Sequence, residues 1–373
     1  AWRCSGNGGA SIMKRLAWLT GIILAAVALL FGINLALQKS AESGLKSGAN
    51  KTLTIYNWGD YIDPTLIKKF QNETGYKVDY ETFDSNEAMF TKIQQGGTHY
   101  DLAVPSDYMI QKMKKANMLV KLDHSKLTGL NNYDARFMNQ PFDRGNKYSV
   151  PYFWGTLGIV YNDKYVKPGE IKTWNDLWNP RFKNSIMLID SSRDIMGMTL
   201  ASSGNSVNTK SIPELAAAKG KLETLMPNVK AIVADEIKMY MAQDEAALAV
   251  DYSGDAAEMI SENSHLHYVV PTDGGNLWFD NIVMPKTVKN KKAAYAFINF
   301  MSKPENAAKN AEYVGYATPN KKAKALLPKS LRNDKQWYPD AKTLSHLEVY
   351  QDLGPYWVGQ YNDYFLEFKM TNR

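Results

Sequence analysis

Acidic residues stand beside aromatic rings at four places in the chain: Trp58-Gly59-Asp60-Tyr61, Asp107-Tyr108, Asp251-Tyr252 and Trp278-Phe279-Asp280. Such pairs suit an organic cation. A carboxylate offers an ammonium a charge-assisted hydrogen bond, while indole and phenol faces attract the charge and cover neighbouring methylenes. Taken singly, each pair also describes a core ring next to a helix-capping aspartate, so placement decides. Other chemistry lacks its residues. There is no G-x-S-x-G elbow, no H-E-x-x-H and no strand-borne G-x-G-x-x-G, and Gly48-Ala49-Asn50-Lys51-Thr52 has the wrong glycine spacing for a phosphate loop. The single cysteine, Cys4, lies in the leader, so the body has no disulfide, thiolate metal site or cysteine nucleophile. His265-Leu266-His267 puts two imidazoles on one strand face, but no third ligand is apparent and the pair reads as surface. The expectation is a binding protein without cofactor, metal or catalytic group.

The elements that must position these residues alternate. Strand signals at 53–56, 78–83 and 101–104 are separated by helix signals. The first helix opens at Asp63-Pro64, turns Leu66, Ile67 and Phe70 to one face and stops at Gly75, and others start at Ser85-Asn86-Glu87 and Ser106-Asp107. This alternation predicts a parallel sheet, with ligand groups on loops leaving the carboxyl ends of its strands. Trp58 and Ser106 fall on such loops. A second set follows a crossing segment at 157–161: a strand at 186–190 running into Ser191-Ser192-Arg193-Asp194, and another at 247–252 followed by a turn at Ser253-Gly254 and a helix carrying Ala256, Ala257 and Ile260. The chain then returns through a strand at 278–285 and an amphipathic helix at 291–301 with Ala294, Phe297, Ile298 and Met301 inward.

The 373 residues, 45% of them hydrophobic and 22% charged, suffice for two domains with a cleft between them. Of the 44 Lys and Arg, five lie in the first 50 residues, against one of the 38 Asp and Glu. The net charge of +6 therefore comes mostly from the leader, and nothing points to a nucleic-acid partner. Residues 1–12 read as a non-native or upstream leader. Residues 13–38, with Lys14-Arg15 before an uncharged run at 16–37, read as a signal peptide or N-terminal membrane anchor, and 39–50 as a flexible tether. The body is expected outside the cytoplasm, in a periplasm or at the outer face of the membrane.

From 53 to 369 the chain resembles the substrate-binding proteins of polyamine ABC transporters. The resemblance is carried in order by YNWGDYI (56–62), DLAVPSDYMIQKM (101–113), KLDHSKLTGLNN (121–132), SVPYFWGTLGI (149–159), TWNDLWNP (173–180), GGNLWFDNIVMP (274–285) and VGYATPN (314–320). It implies a bilobal type II periplasmic-binding-protein-like fold, two α/β lobes joined by crossing hinge segments, with 51–156 and 280–323 in lobe 1 and 157–279 and 324–373 in lobe 2. A polyamine such as spermidine or putrescine would lie between the lobes of a monomer that serves an ABC permease. Carried over by position, the ligand would meet Trp58, Tyr61, Ser106 and Tyr108 from the first lobe; Asp190, Ser191, Arg193, Asp194 and Tyr252 from the second; and Trp278, Asp280, Tyr316 and Gln351. Asp280 would pair with one ammonium and Asp194 with the other, with Trp278, Tyr252, Trp58 and Tyr316 around the methylenes. Two positions depart from the pattern: related sequences carry an acid at Ser191 and a tryptophan at Tyr252. Alternatives on residue type alone are a ferric-iron binder, since the chain has 22 tyrosines, and a carbohydrate-active hydrolase, since acids beside tryptophans also line glycosidase clefts.

Overall fold

A computed structural model describes residues 51–371. The leader, anchor and tether readings at 1–50 lie outside the described residues. Leu53–Arg373 forms one compact unit.

Ten strands make one sheet: β1 (Thr52–Trp58), β2 (Lys77–Phe83), β3 (Leu102–Ala103), β4 (Ser149–Asn162), β5 (Ile186–Ile189), β6 (Val229–Val233), β7 (Leu248–Tyr252), β8 (Leu266–Val269), β9 (Gly275–Val283) and β10 (Leu347–Glu348). The strand order is β2-β1-β3-β9-β4-β7-β5-β6, with β10 beside β9 and β8 beside β4. The expected parallel pairing holds at both ends, β1 with β3 and β5 with β6 and β7. The middle is antiparallel. There β4 and β9 run side by side from Ser149 opposite Val283 to Thr156 opposite Leu277, with an irregularity between Pro151 and Phe153. All 14 residues of β4 are buried, so the crossing expected at 157–161 is the second half of a longer strand.

Packing divides along β4 and β9. Phe70, Tyr100, Trp154 and Phe279 belong to one core, which also takes Leu327 and Tyr338. Trp174, Leu188, Tyr361 and Phe368 belong to a second. A third layer lies behind the second: Leu188 and Val250 face one side of their strands, Met187 and Ala249 the other, as the two-residue repeat of a strand buried on both faces requires.

Local signals set the helices that present the site. In the helix Pro64–Thr74 the side chain of Asp63 accepts from Thr65 N at 2.7 Å, proline takes the first turn, and Gly75 at φ 73° ends it. The helix 291–301 forms as expected, with Ala294, Phe297, Ile298 and Met301 buried. One expectation is corrected. Ser253-Gly254 is not a separate turn but the first turn of the helix Ser253–Glu262, which starts directly from the end of β7.

Candidate ligand-binding site

The first carboxylate stands in β9, opposite Phe153 of β4. Asp280 is buried and accepts from the Tyr61 hydroxyl at 2.6 Å and the Ser106 hydroxyl at 2.7 Å. Both donors are held from behind. Asn86 donates to the Ser106 hydroxyl and accepts from its backbone N–H, each at 3.0 Å. The Tyr61 carbonyl accepts from Tyr152 at 2.8 Å, and the Tyr152 hydroxyl accepts from Asn310 at 2.8 Å. Burial pushes the Asp280 carboxyl up to about 6, against the opposing pull of its two hydroxyl donors.

The second carboxylate lies in the first turn of the helix Ser192–Ala201, where the helix N-terminus favours negative charge. Asp194 is buried and takes hydrogen bonds from Tyr252 at 2.6 Å, Tyr350 at 2.9 Å and the Ser191 hydroxyl.

A run of rings joins the two. Tyr61 meets Tyr316 at 5.5 Å between centroids, Tyr316 meets Trp278 at 5.2 Å and Trp278 meets Tyr252 at 6.3 Å, all edge to face. Two glycines make room for this run. A Cβ on Gly155 would lie 2.3 Å from the Trp278 ring, and one on Gly254 would lie 1.7 Å from that of Tyr316. The Tyr316 hydroxyl donates at 3.1 Å to a third acid, Asp255, in the first turn of the helix Ser253–Glu262. The Trp278 indole N–H is buried and unpartnered.

The electrostatics are one-sided. Among the described residues, no Lys, Arg or His nitrogen comes within ion-pair reach of Asp194, Asp255 or Asp280. Buried charges such as those of Asp194 and Asp280, without an ion-pair partner among the described residues, favour an incoming cation. Burial, together with the charge of neighbouring acids, holds the phenols of Tyr61, Tyr252, Tyr316 and Tyr350 well above their ordinary range, so they donate protons to the carboxylates.

Thus Tyr61, Ser106, Ser191, Asp194, Tyr252, Trp278, Asp280 and Tyr316 come together. Five other expected residues have different engagements. The Trp58 indole donates to the Val104 carbonyl at 2.9 Å while its ring packs on Phe83. Tyr108 donates to Glu87 at 3.1 Å. Asp190 is exposed and paired with Lys369 at 2.7 Å. Arg193 lies over the rings of Tyr350 at 4.4 Å and Tyr361 at 4.9 Å. Gln351 is exposed, its backbone N–H bonded to Asn208 at 2.8 Å. Two site residues escaped the sequence reading. Asp255 resembles any first-turn acid, and Tyr350, next to Gln351, carries no mark of its own. The histidine pair also gains a member. His265 and His267 share Asp163, at 2.7 and 2.9 Å, one residue beyond β4, although no group able to hold a metal is present among the described residues.

Residues 65–340 match the family model of the bacterial extracellular solute-binding proteins. The spermidine/putrescine-binding periplasmic protein of Salmonella typhimurium is 40% identical over 349 residues, 93% of this chain and 97% of that one. The solved spermidine/putrescine ABC transporter substrate-binding protein PotD of Streptococcus pneumoniae is 57% identical, covers 87% of this chain and 100% of its own, and superposes with a TM-score of 0.81. The PotD lipoprotein of Treponema pallidum is 29% identical over 85% of this chain and 99% of its own, with a TM-score of 0.78. The two-core α/β architecture is therefore the bilobal type II fold of these proteins.

Proposed function

The chain belongs to the bacterial extracellular solute-binding proteins, and from that premise we propose that it captures a polyamine, spermidine or putrescine, outside the cytoplasm and delivers it to an ABC permease. The observation that carries this reading is the series of carboxylates Asp280, Asp255 and Asp194, none in an ion pair among the described residues, strung along four touching rings. Asp280 takes one terminal ammonium and Asp194 another, while Tyr316, Trp278 and Tyr252 cover the methylenes between them. Asp255, bonded to the second ring of the run, is available to a further amine.

The tyrosine and serine hydroxyls work in both states. They satisfy the carboxylates when no cation is bound, and they keep each acid aimed at the ligand when one is. Lobe 1, built on the first core, and lobe 2, built on the second, meet where β4 passes from one core to the other, between Trp154 and Leu157, with Trp278 of β9 opposite Gly155. We take the final return to lobe 2 to lie between Tyr338 and Tyr350, a reading supported by the packing of Leu327 and Tyr338 in the first core and of Tyr350 in the second. Closing the lobes removes the charges from water, and the closed surface is what a permease would recognise in a monomer of this protein. Among the described residues no helix is long and apolar enough to cross a membrane, so attachment would rest on the leader. Titration of the purified protein with putrescine, spermidine and spermine, followed by tryptophan fluorescence, tests the reading. Saturable 1:1 quenching or enhancement supports it; a flat signal for all three, with no heat in calorimetry, refutes it.

A further inference from the structure

Beneath Tyr316 lies a pair of acids that ligand contact alone does not explain. Asp251, the fourth residue of β7, is fully buried, and one of its oxygens accepts from the Tyr252 backbone N–H at 2.8 Å. Its other oxygen, Oδ2, is buried and has no donor. The neighbouring acid is Asp255, one helical turn further on in the helix that starts from the end of β7, and the two carboxyl groups act on one another. Two carboxylates cannot hydrogen-bond to each other, because each only accepts. A carboxyl and a carboxylate can.

We infer that Asp251 and Asp255 hold one proton between them, and that Asp251 acts through Asp255 to keep this part of the cleft singly charged until a ligand ammonium reaches it. The orphaned Asp251 oxygen is then satisfied, and Asp255 keeps its second contact, the 3.1 Å bond from Tyr316. The surroundings favour this state. Lys238 acts on both acids of the pair, and its ammonium is bonded to Glu258 at 2.8 Å; Asp235 adds negative charge, and Tyr252, Tyr268 and Tyr316 are neutral hydroxyls. Burial and mutual repulsion accordingly raise the Asp251 carboxyl well above the ordinary range. When an ammonium settles beside Asp255, the shared O–H bond breaks, the proton leaves to solvent and the ligand stays protonated. Capture at this acid thus releases a proton that the Asp280 end, whose carboxylate is held by two hydroxyl donors, does not hold in the same way. Asp251 is a positioning residue here, since it touches Asp255 and not the ligand.

This inference rests on the polyamine reading for its consequence but not for its premise, so the test has two arms. Calorimetry of spermidine binding at pH 8, repeated in buffers of different ionisation enthalpy, counts released protons. The native protein should release about one more proton per ligand than Asp251→Asn, whose amide donates to Asp255 without a titratable proton. Equal counts overturn the inference. The infrared spectrum of the ligand-free protein at pH 8, where Asp280 is ionised, should show a protonated-carboxyl component that is lost in both Asp251→Asn and Asp255→Asn. A native protein without that component overturns the inference even if one variant fails to fold. If spermidine does not bind while the component is present and sensitive to Asp255→Asn, the polyamine reading falls and the shared proton stands.

Discussion

Tyr61 donates its phenolic proton to Asp280 across 2.6 Å, although 219 residues separate them in the chain. The contact joins the loop after β1 to the strand in which the chain recrosses the sheet, so the acid is fixed only when the first core is complete. It also sets the acid's energetics. Asp280 is a buried carboxylate supported by neutral donors alone, a poor arrangement for the empty protein and a good one for a protein about to receive a cation.

Removing that charge should weaken capture. Asp280→Asn leaves the two hydroxyls in place but takes away the partner of a buried ammonium, a loss of roughly 2 to 5 kcal/mol, or about 30-fold or more in affinity. Isothermal titration with spermidine measures it. A loss under threefold would place Asp280 outside the site.

The same substitution should make the ligand-free protein more stable. The Asp280 carboxyl is raised from 3.8 to about 6, so between those values the folded state binds a proton that the unfolded state does not, and stability falls as pH rises through that window. Above it the buried charge costs on the order of 3 kcal/mol. Urea denaturation of Asp280→Asn against the native protein should show a gain at pH 7.5 that shrinks toward pH 4. A destabilisation of similar size at both pH values would contradict the assignment. Spermidine affinity of the native protein should in turn weaken on acidification below about pH 6, as Asp280 becomes neutral.

Gly254→Ala should damage the site without damaging the helix. Alanine is the better helix former by about 1 kcal/mol, but its Cβ would fall 1.7 Å from the Tyr316 ring and drive that ring out of the run. Affinity should drop more than tenfold while far-ultraviolet dichroism is unchanged. In a Tyr316→Ala background the further cost should nearly vanish, a coupling that a double-mutant cycle measures directly.

Asp190→Asn supplies the contrast. Its carboxylate is exposed and bonded to Lys369, so the substitution should change spermidine affinity less than threefold and stability by about 0.5 kcal/mol or less. A tenfold loss of affinity would bring Asp190 into the ligand shell, where the sequence reading puts it.

These contrasts show what the sequence made legible. The helix at Pro64–Thr74 was readable because Asp63, Pro64 and Gly75 each impose local backbone geometry. The gathering of Asp280, Trp278, Tyr252 and Tyr61 was legible because each acid–ring pair falls near a strand end, and because their neighbours match a family in order. The pairing of Asp190 was not readable, since nothing local says that Lys369, 179 residues away, will take up its charge. Asp255 was hidden for the opposite reason: a first-turn aspartate is ordinary, and only the fold lays Tyr316 across Gly254 to reach it. The antiparallel crossing of β4 and β9 was half visible, because a strand buried along its whole length has no polar alternation to mark its start.

Capture depends most on carboxylates without a cationic partner drawing a slender polycation onto a row of rings. Calorimetric titration of the native protein with spermidine, alongside the double variant Asp194→Asn/Asp280→Asn, tests this most directly. Saturable 1:1 binding by the native protein, abolished in a folded double variant, is the predicted result; native protein that takes up no spermidine, or a double variant that binds it equally well, would contradict it.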